Sequence, residues 1–194
     1  MTKHSDLLEN PHINMHRITS GWLEHIRGNW IGMVGEDEFQ TLYGTIFEGI
    51  EEDLGKFGFN VPVHAFIYDP KLYEQDIFLV DAIVELTDTK AGKMTKALSV
   101  RLAPKYIGWE GDTDMRQQVV DVYSRVILHI ITLGLERANE EEHVVKIYGR
   151  NDPMLLMLQE LTNKWGELTD NLTRVDTTAR MEGRWINVSF TPKP

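Results

Sequence analysis

The chain contains no cysteine among its 194 residues, and this absence removes several kinds of chemistry at once. Disulfides, zinc–thiolate centres, iron–sulfur clusters and thiol nucleophiles all require a cysteine sulfur. A chain without disulfides suits a reducing compartment, so the sequence favours a cytoplasmic protein.

Long apolar runs are also scarce. No stretch approaches the roughly 18 consecutive apolar residues typical of a membrane span. The first residues, MTKHSDLLENPH, lack the apolar core of a signal peptide. We therefore expect a soluble protein with no membrane partner.

Basic residues are too few to balance the acidic ones. Twenty Lys and Arg stand against 30 Asp and Glu, which gives a formal net charge of -10. Such a charge disfavours broad attachment to nucleic acid or anionic lipid and favours a basic protein surface or self-association. The same charge is also explained by solubility alone.

Several well-known catalytic and nucleotide-binding motifs are missing as well. The sequence contains no Walker loop, nucleophile elbow, EF-hand loop or GxGxxG turn. Phosphoryl transfer, serine hydrolysis and hydride transfer therefore have no recognisable motif in this chain.

The composition predicts one α/β domain that follows a short N-terminal segment. At 42% hydrophobic, the chain has enough apolar material for a core. Residues 1–35 are predicted to form an arm and a short helix, and 36–194 an α/β (α+β) domain. Its single mixed, mostly antiparallel sheet should be flanked by helices.

Hydrophobic periodicity and turn signals give the order of the elements. A strand, a long crossover helix and another strand predict one parallel pair with a right-handed crossover. The predicted helices lie at 21–34, within 37–59, at about 113–138 and at 152–165. The predicted strands lie at 61–69, 76–88, 93–104 and 143–149, followed by a hairpin around Glu182 and Gly183.

Three sequence segments, together with the predicted order of helices and strands, resemble the GNAT N-acetyltransferase superfamily. The segments are VRLAPKYIG before a helix, GLERANEEEHVVKIYGRNDP, and the closing EGRWINVSF. The resemblance covers about residues 60 to 190, as a divergent or degenerate member. It implies a GNAT-like acyl-CoA N-acyltransferase fold, in which acyl-CoA lies where the strand before the long helix splays from the next strand.

The resemblance also implies a set of cofactor-binding residues. Leu102 and Ala103 would offer backbone groups to the pantetheine of acetyl-CoA. Gly108 and Gly111 would lie in the turn that holds the pyrophosphate at a helix N-terminus, where unpaired N–H groups and the helix dipole attract anions. Asn151 matches a position where the family often has an Asn near the cofactor.

The sequence departs from the family pattern in that turn. The family usually has Arg or Gln and then two glycines two residues apart; this chain has Ile107, Glu110 and Asp112 at the corresponding positions. Leu158 stands in place of the Tyr that often protonates the leaving thiolate. A carboxylate repels phosphate, and Asp112 could instead cap the helix by accepting the N–H groups of Asp114 or Met115.

Carboxylates on the strands that would flank an acceptor site are the candidates for catalysis. Asp81 and Glu85 share one predicted strand face, and either could deprotonate an amine directly or through water; Asp69 is a weaker candidate. A half-exposed sheet also places polar residues at these positions with no chemistry at all.

The histidines give no coherent metal site. His12, His16 and His25 could bind a metal as neutral imidazoles, but surface histidines explain them as well. His64 and His129 could act as general bases near neutral pH, or pack as hydrogen-bonded core residues. The sequence thus predicts no resident metal.

Two functions follow from these observations. The substituted turn favours a GNAT-fold protein that has lost efficient acyl-CoA catalysis and acts as an acidic protein-binding or self-assembling module with no required cofactor. The alternative is an active acyl-CoA-dependent N-acyltransferase that uses acetyl-CoA to acetylate a small amine or a protein amine.

Overall fold

The computed structural model describes residues 15–58, 61–67, 79–89, 92–138 and 141–193. Its strands form a seven-stranded sheet in the order β1-β2-β3-β4-β5-β7-β6. β4 and β5 are parallel, whereas the pairs β1–β2, β5–β7 and β6–β7 are antiparallel. The expected mixed, mostly antiparallel sheet with flanking helices is therefore confirmed.

The elements follow in chain order. The strands are β1 Met15–Arg17, β2 Val63–Phe66, β3 Ala82–Asp88, β4 Met94–Leu102, β5 His143–Tyr148, β6 Val175–Glu182 and β7 Trp185–Pro192. The helices are α1 Ser20–Val34, α2 Glu36–Phe39, α3 Thr45–Phe57, α4 Thr113–Arg137, α5 Asp152–Asn163 and α6 Trp165–Thr169. A π-helical turn, Gln40–Gly44, joins α2 to α3.

The chain divides into two compact units. The first comprises the described residues up to Val84 together with Arg101–Val122, and the second comprises Glu85–Val100 and the described residues from Tyr123 onward. The proposed boundary at residue 35 stays a prediction.

An aromatic cluster forms the core of the first unit. Trp30 of α1 lies 4.9 Å from Tyr43 and 5.6 Å from Phe47, measured between ring centroids, and Phe39 lies 5.0 Å from Phe47. The Trp30 indole N–H donates to the Val80 carbonyl at 3.4 Å. Trp30 lies on the buried side of α1 and Phe47 on that of α3, while Phe39 and Tyr43 come from the segment between the two helices. Burial of these rings stabilises the helices.

Helix α1 is longer and more regular than its glycines predict. Thr19 caps it, because its Oγ1 accepts the Trp22 N–H at 3.3 Å. Gly28 and Gly32 are exposed within the helix, and a Cβ at either position would contact nothing within 4 Å. Buried apolar residues on the other side of the helix outweigh the glycine cost of about 1 kcal/mol each.

The core of the second unit lies between helices and one face of the sheet. Gly134 of α4 packs so closely that a Cβ there would lie 2.2 Å from Val145 Cγ2 and 3.0 Å from Phe190 Cε2. Trp165 of α6 contacts Phe190 at 6.5 Å between centroids, and its Nε1 donates to Thr177 Oγ1 at 2.9 Å. Both helices therefore cover the same face of β5, β6 and β7.

Most predicted elements are found, with three differences. β1 pairs with β2 through Met15 and Phe66, although its short sequence resembles an irregular arm. Gly35, with φ of 85°, separates the first two helices as predicted, but the predicted single helix within 37–59 contains a π-helical turn. A break at Lys164 also separates α5 from α6.

Helix α4 is long and apolar enough to cross a membrane by length and composition, with a mean hydropathy of 1.3 over its best window. The sequence prediction had found no such stretch. Within that window 44% of the residues are buried inside the protein. Since core helices of globular proteins also pass such a test, the finding is weak support for a membrane span.

Candidate functional site

The turn between β4 and α4 is the region on which the cofactor predictions depend. Pro104 begins a 3-10 turn that ends at Tyr106, and a second 3-10 turn covers Trp109–Gly111. Gly108 lies between them with φ of 79°, a left-handed conformation that side chains other than glycine rarely adopt. This glycine thus has a local structural reason to be present.

Asp112 caps helix α4. Its Oδ1 accepts the backbone N–H groups of both Asp114 and Met115 at 2.9 Å. The sequence prediction of an N-cap at this position is confirmed. The carboxylate therefore occupies the place that an anionic ligand would take at the helix N-terminus.

Other amides of the turn also donate to groups within it. Gly111 N–H donates to the Gly108 carbonyl at 3.1 Å, and Asp112 N–H donates to the Trp109 carbonyl at 3.2 Å. The Arg116 guanidinium donates to the carbonyl of Glu110. The turn is thus closed by its own hydrogen bonds.

The backbone groups predicted to bind pantetheine have protein partners. The Leu102 carbonyl accepts the Tyr43 hydroxyl at 3.2 Å, and the Ala103 N–H donates to the Asp81 carbonyl at 2.8 Å. Burial raises the pKa of Tyr43, which keeps the phenol protonated as a donor. A ligand that used these two groups would have to displace both contacts.

Asp81, the first catalytic candidate, is buried with 3% of its surface exposed. Its Oδ1 accepts the Tyr106 hydroxyl at 2.7 Å and lies 2.5 Å from Lys105 Nζ. These contacts tie the start of β3 to the 3-10 turn, which is a structural role. A catalytic role for Asp81 stays a prediction.

Glu85, the second candidate, is half-buried on β3. Its Oε2 accepts the Ser99 hydroxyl of β4 at 3.2 Å. This contact is of ordinary strength and leaves the carboxylate partly accessible, so a role for Glu85 as a base also stays a prediction. Asp69, like His12, lies outside the described residues.

Asn151 is the N-cap of α5. Its Oδ1 accepts the Met154 N–H at 2.9 Å, and its Nδ2 donates to the Tyr123 hydroxyl at 2.9 Å. The amide therefore joins α5 to α4. Its predicted position near a cofactor stays a prediction. Both the amide oxygen and the amide nitrogen of Asn151 already have hydrogen-bond partners within the protein.

A polar cluster that the sequence analysis missed lies in the second unit. Asp88 Oδ1 accepts the Thr95 hydroxyl at 2.9 Å and the Arg137 guanidinium at 2.5 Å, and Thr95 Oγ1 lies 3.0 Å from His143 Nε2. The cluster borders a cleft of about 390 Å³. Its members come from β3, β4, α4 and β5, so no local motif reveals it.

Burial and charge shift the pKa values in this cluster. Burial would raise the pKa of Asp88, but hydrogen bonds from Arg137 and Thr95 outweigh it and lower the pKa. Burial and the nearby Arg137 lower the pKa of His143. Thr95 is only 1% exposed, so its hydroxyl is poorly placed to attack a substrate.

Protein stability should fall as the pH drops below the ordinary histidine pKa of about 6.5. The pKa of both His143 and His129 is lowered in the fold, chiefly by burial, so the unfolded chain binds protons more readily. Urea unfolding between pH 8 and 5 should show a midpoint that decreases below that pKa. His143→Gln and His129→Gln should each flatten the decrease, and a midpoint independent of pH would contradict it.

His16 and His25, two of the histidines considered as metal ligands, have other neighbours in the structure. His25 Nε2 lies 3.0 Å from Asn29 Nδ2, and the His16 ring stacks on Trp22 at 5.6 Å. Within the described parts of the chain, no group of three or more His, Cys, Asp or Glu residues is arranged to hold a metal ion.

No model of a protein family matches the chain, and no curated protein matches it.

Proposed function

We propose that this chain is a GNAT-like domain that has lost acyl-CoA catalysis and acts by binding protein surfaces, including other copies of itself. The order of strand, turn, long helix and parallel strand supports the GNAT-like part of the proposal. The ladder between β4 and β5 runs from Met94↔Val144 to Ala97↔Ile147, while β4 continues to Leu102. The pairing of β4 with β5 therefore ends before β4 itself ends. This agrees with that family, in which the corresponding two strands splay apart.

The observation that carries the loss of catalysis is the cap by Asp112. Its carboxylate already accepts two of the N–H groups that a pyrophosphate would need. A negative charge near a helix N-terminus stabilises the protein or its complex by about 0.3–2 kcal/mol. Because the Asp112 carboxylate already provides this charge, a bound phosphate would gain less from the helix. A phosphate oxygen about 4 Å from such a carboxylate would also be repelled, by roughly 1 kcal/mol in water and more in a partly buried turn.

Binding is the function that remains for a domain of this charge. Glu48, Glu51 and Glu52 lie on the exposed side of α3. Glu51 pairs with Arg27 and Glu52 with Lys56, but all three carboxylates remain exposed enough to meet a basic partner. No bound cofactor is required for such a role. The proposal includes a cytoplasmic location, because a chain without cysteine cannot form the disulfides that are common in oxidising compartments.

The active N-acyltransferase remains the second candidate because β4 extends beyond its ladder with β5. In that case acetyl-CoA would supply the acyl group. Glu85 is half-buried, and its carboxylate accepts the Ser99 hydroxyl at 3.2 Å. It would be the residue to accept a proton from the amine.

Thermal unfolding with acetyl-CoA separates the two candidates. At about 1 mM ligand, a micromolar Kd would stabilise the fold by about 4 kcal/mol, whereas we expect no measurable rise in Tm. A clear rise in the wild-type protein, together with release of free coenzyme A in the presence of amines, would overturn the proposed loss of catalysis.

Two variants test the reason for the loss. Asp112→Gly frees the amides of Asp114 and Met115, whereas Asp112→Asn removes the charge but keeps an oxygen that caps them. We expect acetyl-CoA to stabilise Asp112→Gly, most clearly when combined with Glu110→Gly, and to leave Asp112→Asn unchanged. If Asp112→Gly gains no affinity, the cap is not what prevents binding.

A further inference from the structure

Helices α4 and α6 contact one face of the sheet in the second unit. Val145, Phe190 and Thr177 point toward α4 and α6. Because side chains alternate along a strand, their neighbours in sequence lie on the opposite face. We call this opposite face, on β4, β5, β7 and β6, the outer face.

A row of cations crosses the outer face in register. Lys96 is paired with Lys146, Lys146 with Asn187, and Asn187 with Arg180. Neighbouring strands lie about 4.8 Å apart, so the row places three positive charges on four adjacent strands. We call these four residues the basic row.

The basic row is poorly compensated by its own unit. Lys96 and Lys146 stand directly opposite each other, an arrangement that is unfavourable for like charges. Neither lysine forms an ion pair with any residue that the structure describes. Arg180 pairs with Glu182 at 2.9 Å, but its side chain is 75% exposed. Lys96 and Lys146 are partly exposed, so an external anion could reach these two lysines.

Asn187 adds a second, independent feature at the centre of the row. It is only 4% exposed, and neither Oδ1 nor Nδ2 has a hydrogen-bond partner among the described residues. Buried amides without partners are uncommon, because the lost water contacts are not replaced. A carboxylate inserted between the lysines could accept from Nδ2 as well as from the cations.

The same chain exposes a complementary acidic face on α3. Glu48, Glu51 and Glu52 are exposed. Glu51 pairs with Arg27 at 2.6 Å and Glu52 with Lys56 at 3.1 Å, but 49% and 73% of the two glutamate side chains remain exposed. Glu48 and Glu52 stand four residues apart, which places their carboxylates about 6 Å apart along the helix. That separation is close to the spacing of the basic row. Phe57, 54% exposed at the end of α3, adds an apolar contact.

We propose that the basic row of one copy binds the acidic face of α3 in a second copy. This inference rests on the proposed binding role and names the partner. Charge complementarity within one sequence favours a second copy, while a net charge of -10 disfavours nucleic acid. Because the two surfaces differ, the contact is heterologous and can extend into a ring or an open chain of copies.

Complementary variants provide a sharp test. Lys96→Glu/Lys146→Glu removes the basic row, and Glu48→Lys/Glu52→Lys removes the acidic face; light scattering after size-exclusion chromatography gives the mass of each. The wild-type protein should associate at about 0.1 M salt and dissociate at about 1 M, where charges are strongly screened. Each variant alone should associate at least about tenfold more weakly than the wild type.

An equimolar mixture of the two variants should associate again. The acidic face of the first variant can bind the basic row of the second, and the two charge-reversed surfaces are complementary to each other as well. Lys164→Glu, on an exposed lysine outside the row, serves as the control and should associate like the wild type. Thermal unfolding of every variant verifies its fold.

Several results would overturn the inference. A wild-type protein that is monomeric at low salt, or assembly that persists in both variants, excludes this contact. A monomer that binds polyglutamate through Lys146 would assign the row to another acidic protein instead. Coenzyme A titrations are independent of these measurements, so failure of the self-association leaves the result at the Asp112 turn intact.

Discussion

Asp81→Ala is expected to destabilise the protein by about 3 kcal/mol, at the lower end for a broken buried ion pair. The substitution removes the acceptor of the Tyr106 hydroxyl and the partner of Lys105 Nζ at 2.5 Å. The buried phenol loses its hydrogen bond, while the partly exposed ammonium can return to water, which limits the loss. Urea unfolding monitored by tryptophan fluorescence gives the free energy directly.

Glu85→Ala is the matched control, because Glu85 is the other carboxylate predicted to act in catalysis. Its hydrogen bond with Ser99 at 3.2 Å should contribute only about 1 kcal/mol. Asp81→Asn should retain the Tyr106 contact and lose less than the alanine variant. An Asp81→Ala protein as stable as the wild type would show that the carboxylate is not needed for the fold.

Gly134→Ala should destabilise the protein by about 2–3 kcal/mol, a typical cost for forcing an extra methyl into a packed core. The new Cβ would lie 2.2 Å from Val145 Cγ2, and Val145 is fully buried on β5. A short, branched side chain on a paired strand cannot swing away, so the helix and the sheet must separate slightly.

A double-mutant cycle tests the cause. Val145→Ala removes the methyl that clashes, so Gly134→Ala should cost less in that background than in the wild type. Gly28→Ala provides the opposite control, since its Cβ would meet nothing and the exposed helix should gain up to about 1 kcal/mol. Equal stability of Gly134→Ala and wild type would mean that α4 and β5 can move apart at no cost.

Local chemistry explains which features of the site could be predicted. The cap of α4 depends on one side chain and on amides two and three residues ahead, so the identity of Asp112 was sufficient to predict it. Periodicity likewise predicted α3, α4 and the strands around them. The turn of β6 and β7 follows from Gly183, whose φ of 61° suits a hairpin.

Features that depend on distant residues could not be predicted in this way. Asp81 looked like an acceptor-site carboxylate, and only the fold brings Tyr106 to its Oδ1. The cluster of Asp88, Thr95, Arg137 and His143 unites four elements and has no signature along the chain. β1 is three residues long, too short for alternation to be recognised.

The sequence by itself determined which segments become helices or strands, because their apolar spacing and caps act within a few residues. It also excluded sulfur chemistry and set the negative charge. The tertiary structure decided which distant residues meet. It pairs Asp81 with Lys105, packs Gly134 against Val145, and sets the register that aligns Lys96 with Lys146. Those contacts arise from strand order and helix packing, which join residues that no local pattern connects.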